Sequence, residues 1–230
     1  MRTLIIPDLH HRTDHADNWL ATQRYDRVVF LGDYFAAFDD NASDARLTAV
    51  WLRERLENTS AVFLLGNHDV PYMFPDEPAL ECPGFTRSKA AAIREVLQRR
   101  HWQRFELAWE EQGWLLSHAG FSPIWIEEPS LARILPRCGE AMTLAHRGKV
   151  DPVLGYGEQP HGLQRFGGPL WMPWEAFVPT SGLNQIVGHT SDTEIREKTG
   201  ERSQNYCIDV GNASVAAILS EGRLEILELA

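Results

Sequence analysis

Residues 62–69 constrain this chain more than any other stretch. Val62, Phe63, Leu64 and Leu65 form a short apolar run that reads as a buried strand, and Gly66 ends it. An amide, an imidazole and a carboxylate follow at once: Asn67, His68 and Asp69. Open α/β sheets hold their ligands at the carboxyl ends of such strands. The construction recurs. Leu4-Ile5-Ile6 leads to Asp8 and His10, and residues 28–31 lead to Gly32-Asp33. Trp114-Leu115-Leu116 leads to Ser117-His118, and Ile186-Val187 to Gly188-His189. Five apolar strands thus each deliver metal-binding side chains at their ends.

Length and composition bound the rest. A chain of 230 residues suits one α/β domain spanning 1–230, with 121–180 as a cap-like, substrate-binding insertion. Hydrophobic residues at 43% and charged ones at 23% are ordinary for a globular protein with a sizeable core. The net charge of −10 argues against generic nucleic-acid binding, which needs basic surface. It leaves room for an enzyme that meets phosphate through bound metal, since carboxylate ligands make the metal-free chain acidic. Three cysteines without paired spacing argue against a disulfide framework and fit a reducing compartment. With no signal peptide and no apolar run approaching a membrane span, the expected location is cytoplasmic.

Pattern predicts strands at 3–6, 28–31, 62–65 and 184–187, and a hairpin of 105–109 with 113–117. A second antiparallel run is expected from 206–209, 214–219 and 223–229. Helices are expected near 19–24 with Asp14 or Asp17 as cap, from Ser43 through Leu56, over 88–100, and as two short pieces at 130–135 and 140–146. The unit from 28 to 65 reads as a right-handed parallel crossover. Arg94, Arg99 and Arg100 read as a solvated face, His15, His101, His146 and His161 as bystanders, and the tryptophans of 160–177 as packing.

Alone, each polar motif is weak. Asp8-x-His10 in an extended loop lets both side chains reach one point, a mixture that hard divalent ions accept. The glycine of Gly32-Asp33 allows close backbone approach, and the carboxylate can bridge two ions. An asparagine carbonyl is an unusual metal ligand, and an adjacent histidine that is not a ligand is free for acid–base work.

Taken in order, Asp8-x-His10, Gly32-Asp33, Gly66-Asn67-His68-Asp69, Ser117-His118 and Gly188-His189-Thr190 resemble the calcineurin-like metallophosphoesterases. The likeness is nearest the branch of serine/threonine phosphoprotein phosphatases and diadenosine tetraphosphate hydrolases. Gly168-Pro169-Leu170-Trp171 and Cys207-Ile208-Asp209-Val210-Gly211 add to it. The resemblance implies a two-sheet βαβ sandwich flanked by helices, with two divalent ions at the strand ends: manganese by preference, or iron, zinc or nickel. Carried over, Asp8, His10 and Asp33 hold one ion. Asp33 bridges to the second, which Asn67, His118 and His189 complete. A bridging hydroxide then attacks phosphorus in line, and His68 protonates the leaving oxygen.

One departure stands out. In the phosphoprotein phosphatases Asp-Arg-Gly follows where this chain has Ala36-Ala37, so the carboxylate that orients the catalytic histidine and the phosphate-clamping arginine are both replaced. Asp39 or Asp40 is a candidate to reach His68, and Arg12 a candidate substitute clamp. The expected activity is phosphomonoester hydrolysis on a phosphoprotein, nucleotide or small molecule. The alternatives are a phosphodiesterase or dinucleoside polyphosphate hydrolase, and a metal-stabilised scaffold whose tryptophan-rich 160–177 segment docks a protein.

Overall fold

The computed structural model describes residues 1–36, 39–124, 126–155, 168–211 and 213–229. The chain opens on β1 (Arg2–Ile6), α1 (Thr13–Thr22), β2 (Arg27–Phe30), α2 (Ala42–Asn58) and β3 (Val62–Leu64). Short helices α3 (Val70–Met73), α4 (Arg87–Arg94) and α5 (Arg99–Trp102) lead to β4 (Phe105–Glu106), β5 (Ala108–Glu111) and β6 (Trp114–Ser117). Then come α6 (Leu131–His146), β7 (Asn184–Val187), β8 (Arg196–Gly200), β9 (Ser203–Cys207), β10 (Val215–Ser220) and β11 (Arg223–Glu228).

Among the described residues the strands make two mixed sheets, ordered β11-β10-β1-β2-β3-β4 and β5-β6-β7-β9-β8. In the first, β1 to β4 are parallel and β10 runs against β1. In the second, β6, β7 and β9 are parallel. Strand alternation dictates the layering. Ile5, Val29, Leu31, Val62 and Leu64 face Trp114, Leu116, Ile186 and Ile208 across the two sheets. Their neighbours Leu4, Ile6, Phe30 and Phe63 point the other way, into the helices with Trp19, Trp51 and Leu52. Phe30 stacks on Phe63 at 5.2 Å and meets Trp51 edge-on at 5.8 Å. This is the expected α/β sandwich.

Several elements depart from expectation. Phe105–Glu106 joins β3 in the first sheet, whereas Ala108–Glu111 pairs with β6 in the second, so the expected first hairpin strand is split at buried Leu107. The β10–β11 hairpin likewise extends the first sheet, while β9 lies in the second, paired with β8. Sequence reading passed over β8 because its polar Arg196–Gly200 run is an edge strand with no buried face to pattern it. Helix α1 begins at Thr13 without a side-chain cap, and α2 is capped by Asn41, not Ser43, in a reciprocal box with Asp44. The helix expected over 88–100 is two pieces, α4 and α5. Helix α6 continues through Pro136 because Ile134, Cys138, Ala141, Met142 and Ala145 bury one face throughout, outweighing one missing backbone bond. Arg100 pairs with Glu57 and Arg94 with Asp76, as a solvated face should. His161 and the first part of the 160–177 stretch lie outside the described residues; Trp174 stacks on Phe177 at 5.0 Å as packing. No helix of the described residues is long and apolar enough to cross a membrane.

The two central strand ends are tied together by one buried carboxylate. Asp69 accepts hydrogen bonds from the amides of Gly66, Asp33 and Tyr34, each at 2.9 Å. Gly32 (φ +110°) lies so close to Gly66 that a Cβ there would sit 2.6 Å from the Gly66 nitrogen. Replacing Asp69 by Ala leaves three buried amides without an acceptor. We expect a loss of about 3 kcal/mol or more in urea unfolding of the metal-free protein, and a loss below 1 kcal/mol would contradict the clamp. Phe63→Ala is expected to cost about 3–5 kcal/mol by the same measurement.

Candidate metal centre

Each parallel strand hands its next polar residue to one point between the sheets. β1 supplies Asp8 and His10, β2 supplies Asp33, β3 supplies Asn67 and His68, β6 supplies His118 and β7 supplies His189. Asp8, Asp33, Asn67 and His118 are buried, whereas His10, His68 and His189 are part-exposed above them. Three of these residues hold left-handed backbone that side chains normally avoid: His10 (φ 41°), Asp33 (φ 49°) and His189 (φ 70°). Such conformations cost about 1–3 kcal/mol each and persist where the surroundings over-determine them.

Asp33 is the geometric centre. Its Oδ1 accepts the His68 amide at 2.8 Å, which frees Oδ2 to face His118 Nε2 at 3.5 Å and His10 Nε2 at 3.8 Å. Two groups follow, Asp8–His10–Asp33 and Asp33–His118–His189, with candidate ligand atoms in each within 4.8 Å of one another. The Asn67 carbonyl joins the second, at 2.7 Å from His118 Nε2 and 2.9 Å from His189 Nδ1. Backbone carbonyls orient the imidazoles. Leu31 O lies 3.0 Å from His118 Nδ1, and Ala36 O lies 2.9 Å from His10 Nδ1. A carbonyl only accepts, so both Nδ1 atoms carry the proton and both Nε2 lone pairs turn toward Asp33.

The electrostatics ask for a cation. Burial pushes Asp8 and Asp33 well above the usual carboxylate range, and the charge of Asp209 adds to both. Burial likewise lowers His118 well below its ordinary value and His189 to about 4. Asp209 is the residue that sequence reasoning passed over. It follows β9 as Asp8 follows β1, yet the pattern read it as the last residue of a strand. It is 1% exposed, and burial raises it to about 6 against the opposing pull of His10, Arg196 and Ser191. Buried acids beside the imidazoles of His118 and His189, which burial keeps neutral, suit hard divalent ions that take mixed oxygen and nitrogen ligands. Gly188 is shaped to the same end, since a Cβ there would collide with the Asp8 carboxylate.

The remaining sequence candidates lie elsewhere. Arg12 forks onto Asp14 through Nε and Nη2 at 3.0 and 2.9 Å, and Asp39 is exposed. Asp40 is engaged by His11 Nε2 at 2.7 Å and by the Lys89 ammonium. His68 instead turns Nδ1 toward the Cys82 thiol at 3.4 Å, and its ring sits 6.5 Å from Trp171. Burial, then the charges of His10 and His189, lower His68 to about 3. Ala37, at the expected place of a phosphate clamp, lies outside the described residues.

Comparison with known proteins agrees with this geometry. A search of curated sequences gave no match. Among solved structures, the cold-active protein-tyrosine phosphatase of a psychrophilic Shewanella species is 15% identical with a TM-score of 0.59, over 100% of this chain and 80% of that one. A diadenosine tetraphosphatase described as putative is 15% identical with a TM-score of 0.54, over 99% and 93%. A serine/threonine phosphatase from Saccharomyces cerevisiae is 13% identical with a TM-score of 0.52, over 99% and 80%. These likenesses carry the fold. The sequence model of the calcineurin-like phosphoesterases matches residues 1–192, so the chain belongs to that family of metal-dependent phosphoric ester hydrolases.

Proposed function

We propose that the chain is a dinuclear phosphomonoesterase of the serine/threonine-phosphatase kind. Asp8, His10 and Asp33 hold one divalent ion, Asp33, Asn67, His118 and His189 hold the other, and manganese is the native metal. The observation that carries this reading is that Asp33 belongs to both ligand groups, with Oδ2 facing a histidine on either side. When bound, such a pair of ions supplies a nucleophilic oxygen at neutral pH and neutralises phosphoryl oxygens.

The chain's own groups do the rest. With Nδ1 turned toward Cys82, His68 keeps Nε2 on the opposite side of the ring. From there it donates a proton or hydrogen bond to the leaving oxygen. A bound phosphate dianion opposes the two histidine charges that depress His68 and raises its affinity for a proton. Trp171, 6.5 Å from His68 and 6.2 Å from His189, supports the reading of 121–180 as a substrate-binding insertion, its ring walling the site against water. Three free, buried cysteines accord with a reducing, cytoplasmic setting.

A phosphodiester or dinucleoside polyphosphate substrate is the second reading. It is favoured by Ala36 standing where a histidine-orienting carboxylate is expected, and by Arg12 being taken up by Asp14. Losing a bidentate clamp costs a dianionic monoester more binding than it costs a singly charged diester.

Two measurements test the proposal. Adding Mn²⁺ at about 100 times its dissociation constant should raise the melting temperature of the wild type by about 5–10 °C. Asp33→Asn should abolish most of that shift, and an unchanged shift would overturn the bridging role. With Mn²⁺ present, p-nitrophenyl phosphate should turn over faster than bis-p-nitrophenyl phosphate. His68→Ala should lower kcat on a poor leaving group about 100-fold or more with two ions still bound. Faster turnover of the diester would favour the second reading.

A further inference from the structure

The position that would orient His68 is empty of carboxylate. Ala36 carries none, exposed Asp39 lies in a turn, and Asp40 is held by His11 and Lys89. What the ring meets is a thiol: Cys82 Sγ lies 3.4 Å from His68 Nδ1. We propose that Cys82 is the positioning residue of His68, with its thiol taking the place of the carboxylate and fixing the orientation of the imidazole for leaving-group protonation. This rests on the reading of His68 as the acid.

The corner bearing Cys82 is built to hold still. The Phe85 amide donates to Cys82 O at 3.1 Å, closing a turn. Lys89, 4% exposed, donates to Gly84 O at 2.7 Å and pairs with Asp40, so its α4 backbone is bolted to the loop that follows β2. Thr86 caps the same helix through the Lys89 amide at 3.3 Å. Asp40 is thereby used as a strut, and the polar neighbours of the His68 ring at this corner are the Cys82 thiol, 3.4 Å from Nδ1, and the Pro83 backbone, which favours the protonated ring. Burial pushes the thiol up to about 12, so it stays protonated and uncharged. A carboxylate there would add another buried charge to Asp8, Asp33, Asp69 and Asp209.

Leaving-group dependence separates positioning from mere packing. Phenyl phosphate needs its leaving oxygen protonated far more than p-nitrophenyl phosphate does. With Mn²⁺-loaded protein, Cys82→Ala should lower kcat on phenyl phosphate about tenfold and on p-nitrophenyl phosphate less than about twofold, with KM unchanged. Cys82→Ser should restore most of the loss. Cys82→Val, which fills the space without a polar atom, carries the same prediction should the alanine variant fold poorly. Equal losses on both substrates, or none, while His68→Ala keeps its preference for the poor leaving group, would overturn the role of Cys82. A His68→Ala variant that shows no such preference would instead overturn the reading of His68 as acid.

Discussion

Everything at the centre of this molecule depends on the Asp69 carboxylate. Its three 2.9 Å bonds to the amides of Gly66, Asp33 and Tyr34 hold the ends of β2 and β3 in one fixed relation. That relation presents the Asp33 side chain between two histidines and brings the His68 amide onto Asp33 Oδ1. Gly32 and Gly66 make the approach possible, because neither can carry a side chain there. The left-handed backbone at Asp33 and the burial of several acids both oppose folding. A cation bound between the sheets would offset the second of these, and folding and metal binding would then support each other.

Much of the fold was legible because its central strands are buried on both faces. Leu4-Ile5-Ile6 and Val28-Val29-Phe30 can only be interior strands, one face toward helices and the other toward the second sheet. What was not legible depended on tertiary partners. Residues 105–111 hold one apolar pattern, yet Phe105 pairs with Phe63 and Ala108 with Ser117 in different sheets. Pro136 reads as a stop until its helix is seen to be held by a continuous buried face. The edge strand β8 has no hydrophobic period to find.

The centre itself was more legible than its surroundings. Asp8, His10, Asp33, Asn67, His118 and His189 each follow an apolar strand within a few residues, and topology gathers strand ends. Asp209 follows the same rule, but Tyr206-Cys207-Ile208-Asp209 reads as an unbroken strand, and only its burial beside Asp8 and Asp33 sets it apart. Cys82 could not have been found by spacing. Fourteen residues from His68, it meets the ring because the Pro-rich 70–84 stretch returns the chain to the end of β3. The tryptophan-rich stretch presents a similar lesson: Met172, Trp174 and Phe177 pack with Ala119 and Val187, which lie close in sequence to His118 and His189.

The central claim is that one carboxylate joins two ions, and electron paramagnetic resonance of the Mn²⁺-loaded protein reads that directly. Asp33 shared between both groups predicts a broad, exchange-coupled multiline spectrum as the second ion is added. A spectrum that remains the simple six-line pattern of isolated Mn²⁺, however much metal is bound, would contradict a bridged centre.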